Sequence, residues 1–425
     1  MDINLIFAIV PRLLPTFMLG IVALIGLLIQ RKEFDEVIEG TIKTMAGVII
    51  LFTAVDLLSG AISPISTMFN QVYALEGQAT VDFTTFLGEY GVQIVLVLVF
   101  GFLVNVLLAR ITPLKYVFLT GHILFWNAFM VTAALADGGK ITGVPLIILG
   151  SIILGIISTV LPALIMPYVE KVTGGREFSI GHTTTVLAII GAEVGKLVGD
   201  PSTSTEDLEI PKRWGFIKEM VISTSLIMLL VYIVMGLLAG PLWAAGQFAG
   251  GSTAVWILWM IYQAISFGAG LVILLTGVRM TLSEIVPAFH GIANKIVPDA
   301  IPALDCPMLF PYAPNALAIG FPIAVAASLV TLVIFGLAGF QYVLLPLVVA
   351  AFFDVGPAAI LANKTGGIRG TVVASIVGGV LLIVFQALSL FFVQNTAAGF
   401  INAFGGNDFS VIAIVVGGLA RLLGF

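Results

Sequence analysis

Long, continuous apolar runs dominate the chain, near 13–29, 44–62, 92–109, 116–136, 144–168, 217–240, 253–276, 316–340, 341–362, 369–393 and 409–425. A helix needs about 20 such residues to cross a hydrocarbon core of roughly 30 Å. The pattern therefore predicts ten or eleven membrane-crossing helices. A membrane barrel would show short segments of alternating polarity, and these runs do not alternate.

The stretches between the runs are of three kinds. "RKEFDEVIEG" (31–40) and "PSTSTEDLEIPKRWGFIKEM" (201–220) are charged. Lys212, Arg213 and Lys218 place the second on the cytoplasmic side, where positive charge accumulates. It also divides the chain into a first transmembrane half (1–200), a cytoplasmic linker (201–213) and a second transmembrane half (214–425). A second kind is semi-polar and too weak to span: 73–91, 175–199 and 281–316. The third, "FFDVGPAAILANKTGGIRG" (352–370), is broken by glycine and proline.

Non-helical backbone at membrane depth must find partners in protein or in a watery cavity, because lipid offers none. The last two kinds of segment thus read as re-entrant hairpins or interrupted helices. Broken polar elements in each half are the layout of transporters built from inverted repeats, with the solute near the midplane. No clean residue-level repeat relates the two halves.

Composition sharpens this picture. Of 425 residues, 60% are hydrophobic and 10% charged, with mean hydropathy +1.16. A soluble domain carries about 25% charged residues, so the expected fold class is an all-α polytopic membrane protein. The net charge of −5 without a basic block gives nucleic-acid binding no support. One cysteine, Cys306, excludes an internal disulfide framework. The start "MDINLIFAIVPRLLPTF" lacks a signal-peptide pattern and is expected to stay as part of the first span. No phosphate-binding loop or zinc-protease motif is present. Neither a cofactor nor a metal is expected, and two histidines without an acidic cluster in sequence make a poor metal site.

Polar side chains inside apolar runs are costly, so each needs a reason. His122 in "FLTGHILFWN" and His182 in "FSIGHTTTV" each follow a glycine. A neutral imidazole donates and accepts one hydrogen bond, which suits a hydroxylated solute. Gly121 and Gly181 would let another backbone, or the ligand, come close. The plainer reading is a buried histidine bonded to a carbonyl. Asp305, between Pro302 and Pro307, could accept two hydroxyl hydrogen bonds from a sugar; the alternative is a helix cap.

Asn315, after Pro314, reads as a cap that leaves a helix N-terminus aimed at the cavity. Asp82, with Thr80, Thr84 and Thr85, lines a pocket from the first hairpin or faces water. Asp354, Asn363 and Arg369 read mainly as backbone satisfaction and a turn. His290 reads as part of an amphipathic interfacial helix.

At these residues a family resemblance emerges. The carrying stretches are "GTIKT" (40–44), "LTGHI" (119–123), "FSIGH" (178–182), "STEDLEIP" (204–211), "GVRM" (277–280), "AFHGI" (288–292), "IPALDC" (301–306), "APNA" (313–316) and "ANKTGG" (362–367). In this order and at these intervals the chain resembles the L-ascorbate-specific enzyme IIC of the phosphoenolpyruvate-dependent sugar phosphotransferase system, a relative of the galactitol permeases. The resemblance implies eleven transmembrane helices with re-entrant hairpins. It also implies V-shaped subunits of core plus scaffold, each drawing on both halves, and a homodimer with elevator movement in the bacterial cytoplasmic membrane.

Cytoplasmic EIIB and EIIA phosphocarriers would be partners, with the sugar phosphorylated from EIIB; no catalysis is expected from the isolated chain. By position, His122, His182, Thr183 and Asp305 would line the substrate site. The chain departs from the ascorbate pattern where glutamines give way to Thr183–Thr185 and to Trp126 and Asn127. Asn127 joins the candidate site on that ground, and a different sugar acid or polyol fits the change. The rival readings are a proton-coupled secondary transporter with His122, His182 and Asp305 as a relay, and an intramembrane enzyme.

Overall fold

The computed structural model describes residues 16–17, 20–21, 23–73, 83–137, 141–208, 219–342 and 344–424. The chain is predominantly helical, as the apolar runs require. Among the described residues seven helical stretches are long and apolar enough to cross a membrane: Phe34–Val72, Gly88–Ile111, Gly143–Thr173, Val221–Ala239, Thr253–Leu274, Pro314–Leu337 and Val348–Val393. Their outward faces carry large apolar side chains such as Leu103, Ile148, Leu230 and Leu258. Lipid tails are the solvent that leaves such faces without cost.

The helices sort into two packing groups. In the first, α1 (Phe34–Tyr73) lies along α8 (Thr253–Ile296), with α6 (Met220–Ala239) and α7 (Pro241–Ala249) beside them. The buried Tyr232 hydroxyl on α6 donates to the Ala61 carbonyl on α1 and ties this group together. The second group holds α2 (Phe83–Ile111), α3 (Gly121–Ala136), α4 (Gly143–Thr173), α5 (Thr185–Val198) and α9 (Pro314–Leu337). It also holds α10 (Val348–Phe353), α11 (Val355–Val393), α12 (Ala398–Phe404) and α13 (Asp408–Leu422). The principal neighbours of each helix lie within its own group.

Beyond the brief α7, α10 and α12 of nine, six and seven residues, three helices are too short to span. At 1.5 Å per residue, α3 (16 residues), α5 (14 residues) and α13 (15 residues) reach only about 21–24 Å. The helix α11 is long but broken at Gly367, whose φ of 59° and ψ of −151° lie outside the helical region. Only glycine adopts that backbone readily. The break therefore falls within "ANKTGG", whereas Gly356 and Pro357 sit in the first turn of α11.

A small parallel sheet, which the apolar pattern did not predict, joins distant parts of the chain. β1 (Tyr116–Phe118) and β2 (Ser179–Ile180) flank β3 (Ile301–Leu304). Tyr116 pairs with Ile301 and Ser179 with Ala303. The expected span at 116–136 thus begins as a strand and turns helical only at Gly121. The reason is non-local: β1 finds its backbone partners about 185 residues further on (Tyr116 to Ile301), out of reach of any local periodicity.

The outer edge of β1 is satisfied by a side chain. Asn105 on α2 donates from Nδ2 to the Tyr116 carbonyl at 3.0 Å and accepts from the Phe118 N–H at 3.0 Å. Its amide copies a neighbouring strand, and a further bond to Thr159 Oγ1 at 2.8 Å anchors it to α4. Every buried backbone group on that edge would otherwise lack a partner.

Candidate functional site

Each of the three strands ends by delivering one chemically important side chain. β1 leads through Leu119 and Thr120 to Gly121-His122, β2 runs into Gly181-His182, and β3 into Asp305. Parallel strands point the same way, so their carboxyl ends bring these residues to one place. Pairing continues past the strands, with Leu119 N–H on the Ala303 carbonyl at 3.0 Å and Gly181 N–H on the Leu304 carbonyl at 2.7 Å. Gly181 is needed here, because a Cβ would stand 2.8 Å from the Ala303 oxygen. The closely approaching group is therefore the β3 backbone, and not a ligand.

At the focus, Asp305 sits between the two histidines. Its Oδ2 lies 3.7 Å from His122 Nε2, and its Oδ1 lies 3.6 Å from His182 Nε2. Both gaps exceed a direct hydrogen bond, yet one hydroxyl oxygen could touch the two partners across either gap. Asp305 Oδ1 accepts the Cys306 N–H at 2.8 Å, the capping role weighed for it. Among the described residues Oδ2 accepts no protein hydrogen bond.

The three residues present ligand atoms within 4.8 Å of one another. The expectation against a metal rested on two histidines lacking a carboxylate, and the fold supplies one from 123 positions beyond His182 (305 − 182). Around zinc, donor atoms about 2.0–2.1 Å from the ion lie roughly 3.4 Å apart, slightly closer than the two histidine–carboxylate pairs and well inside the 4.8 Å that bounds the whole set. Holding a divalent cation would require the histidines to draw together.

The cluster opens on a cavity of about 740 Å³, counting its open mouth. Its polar end consists of His122, His182, Thr183, Asp305, Asp354 and Asn407. The remainder is apolar, with Trp126, Phe353, Phe400 and Phe404 prominent. Trp126 and Phe400 lie 4.9 Å apart between ring centroids and form one wall. Leu58 of α1 and Leu274 of α8 complete the lining, so the cavity lies between the two packing groups.

Behind His182 stands a buried network. Thr183 Oγ1 donates to Asp354 Oδ1 at 2.6 Å, and Asn407 Nδ2 donates to Asp354 Oδ2 at 2.7 Å. His182 Nδ1 lies 3.1 Å from Thr183 Oγ1 and 3.4 Å from Asp354 Oδ1. Asp408 caps α5 from outside, accepting Thr185 N–H and Val186 N–H, each at 2.9 Å. Its own N–H returns a bond to the Thr183 carbonyl at 2.9 Å. The amino ends of α5, α11 and α13 thus gather beside the cavity, where their partial positive charge favours carboxylates.

The other candidates fall elsewhere. Asn127 is buried on α3 but does not line the cavity; its neighbour Trp126 does. Asn315 is a packing residue: its Nδ2 donates to the Thr205 carbonyl at 2.9 Å. Glu206 fills the start of α9, accepting Asn315 N–H at 3.2 Å and Ala316 N–H at 2.9 Å. That helix end is therefore occupied by the linker rather than open to the cavity. Asn363 holds the same linker through the Thr205 N–H at 2.9 Å. Asp82 lies outside the described residues, as does the side chain of His290.

Asp354 and Asn407, by contrast, line the cavity and drew little or no attention in the sequence. The signal for Asp354 was weak: an acid just before Gly356-Pro357, read as part of a turn.

Comparison with known proteins agrees with the architecture. Residues 10–408 match the EIIC-GAT family, described as "PTS system sugar-specific permease component". The "Ascorbate-specific PTS system EIIC component" of Mycoplasma pneumoniae (strain ATCC 29342 / M129 / Subtype 1) is 27% identical over 436 aligned positions, covering 88% of this chain. The alignment spans 65% of that relative's length. With nearly the whole chain matched and a multi-pass helical fold around a cavity with one polar end, this protein belongs to the EIIC-GAT family of sugar-specific permease components.

Proposed function

We propose that this chain translocates L-ascorbate or a related sugar acid or polyol across the bacterial cytoplasmic membrane. In this reading a separate EIIB, charged by EIIA, phosphorylates the solute. The observation that carries the reading is the convergence of His122, His182 and Asp305 at the ends of three strands, on a cavity between two helix groups. Asp305 receives two adjacent hydroxyls, each placed in the gap to one imidazole. The aromatic wall packs against the carbon skeleton.

The cavity's polar end belongs wholly to the second group, while α1 and α8 contribute only leucines. That division supports an elevator, in which the second group carries the solute as a core past a dimerising scaffold. A homodimer with the first group at its centre follows from the same reading.

The test is a binding screen of the purified full chain against L-ascorbate, galactitol and related sugars and polyols. It is followed by phosphoenolpyruvate-dependent uptake in cells carrying the cognate phosphocarriers. Saturable binding that is lost in Asp305→Ala is expected. Wild-type protein that binds none of these solutes would sink the reading.

One observation favours a second reading. Asp354, His182, Asp305 and His122 stand in series with gaps of 3.4, 3.6 and 3.7 Å, which bridging hydroxyls would join into a proton relay. Uptake that survives deletion of the phosphocarriers but collapses with the proton gradient would select it.

A further inference from the structure

His182 differs from His122 in that both its ring nitrogens face acceptors. On the Nδ1 side the hydrogen count can be closed from geometry. Asp354 Oδ1 takes the Thr183 hydroxyl hydrogen at 2.6 Å, and a hydroxyl has only one to give. Thr183 Oγ1 therefore accepts from His182 Nδ1 at 3.1 Å; Asn407 Nδ2, 3.4 Å away, places its two hydrogens on the nearer Asp354 and Phe404 oxygens. The other atom near Nδ1, Asp354 Oδ1 at 3.4 Å, accepts only when the carboxylate is ionised. With Asp354 ionised, Nδ1 must carry a hydrogen, whatever the state of Nε2.

Asp354 is itself held. Its second oxygen takes the Asn407 amide at 2.7 Å, and the same amide also donates to the Phe404 carbonyl at 3.0 Å. Asn407 Oδ1 accepts the Phe409 N–H at 3.1 Å, which fixes the amide's orientation. Asp354 is 1% exposed and stands at the junction of α10 and α11. Both of its oxygens are therefore satisfied by protein donors.

We propose that Asp354 is a positioning residue, fastened by Asn407 and acting through Thr183, that holds His182 by its Nδ1–H and turns Nε2 to Asp305 and the cavity. A side chain from the second half of the sequence thereby orients the solute-facing histidine of the first. The inference rests on the transport reading only for its effect on affinity; the position of the hydrogen does not depend on it. Wrong-tautomer variants of histidine–carboxylate pairs lose function while keeping their geometry. Outer-shell partners of metal-bound histidines are worth about 10–100-fold, and the lower end of that range is the scale expected here.

The experiment uses the full chain, purified with ¹⁵N-histidine. The sequence has three histidines, His122, His182 and His290, so three imidazoles appear, and His182→Gln identifies one of them. In the wild type, Nδ1 of His182 should show a bound hydrogen. In Asp354→Asn, the carbonyl oxygen remains on the Asn407 amide and the new NH₂ faces Thr183 and His182. The hydrogen should then leave Nδ1, and affinity for the solute bound by the wild type should fall about ten-fold with the thermal midpoint retained.

A wild-type Nδ1 without hydrogen overturns the proposal, and that result needs neither the Asp354→Asn protein nor a bound solute. So does an Asp354→Asn protein whose His182 keeps its Nδ1–H, or one that loses it at unchanged affinity. If no solute binds the wild type, the transport reading fails, while the nitrogen spectrum still decides this inference.

Discussion

The two glycine-histidine corners share a motif and part company in three dimensions. His182 has 8% of its side chain exposed and is gripped on Nδ1 by Thr183 and Asp354. His122 has 19% exposed, and the one ionic neighbour within 4 Å among the described residues is Asp305. One corner is clamped and the other is adjustable. A fixed group sets the geometry of recognition, and a freer one adapts to the solute. The strands beneath them are also supported unequally. β1 is edged by two hydrogen bonds of Asn105, which a third ties to Thr159 on α4, whereas β2 is pinned to α4 by one bond from Ser179 Oγ to the Pro162 carbonyl at 2.6 Å.

Several substitutions would break or sharpen this contrast. The largest effect is expected from Asn105→Leu, which strands two buried backbone groups of β1. Unfolding in mixed micelles should lose about 3 kcal/mol, against about 1 kcal/mol for Ser179→Ala. Equal losses would mean that the edge amide is not what holds the first corner.

Next comes His182→Ala. Because it removes a clamped hydrogen-bonding group and leaves buried Asp354 short of a partner, solute affinity should fall about 100-fold by equilibrium binding. Gly181→Ala pushes a methyl group against the β3 backbone. It should cost about 2 kcal/mol of stability, read as a lowered unfolding midpoint together with weakened binding. The mildest change is His122→Ala, at about ten-fold in affinity. If the two histidine variants came out equal or reversed, the distinction between a fixed and an adjustable corner would be lost.

Much of this was legible along the chain. Asp305 and the two histidines stand out as polar groups among apolar ones, and the cost of burying them points to a shared cavity. The interrupted segments also announce themselves: "ANKTGG" holds the actual break, at Gly367. Asn315 misled because a cap after proline looks the same whether its helix end meets a solute or, as here, the Glu206 carboxylate. Asp354 and Asn407 were obscure for a related cause. Their partners are Thr183 and one another, separated by 171 and 53 positions, and no spacing rule reaches that far.

The amino-acid sequence by itself determined the solvent, the helical class and the family, because hydropathy and ordered motifs are properties of neighbouring residues. Only the tertiary structure decided which polar side chains meet. Strand pairing between 116–118, 179–180 and 301–304 sets that choice, and backbone hydrogen bonds between distant segments leave no periodic trace in the residues that make them.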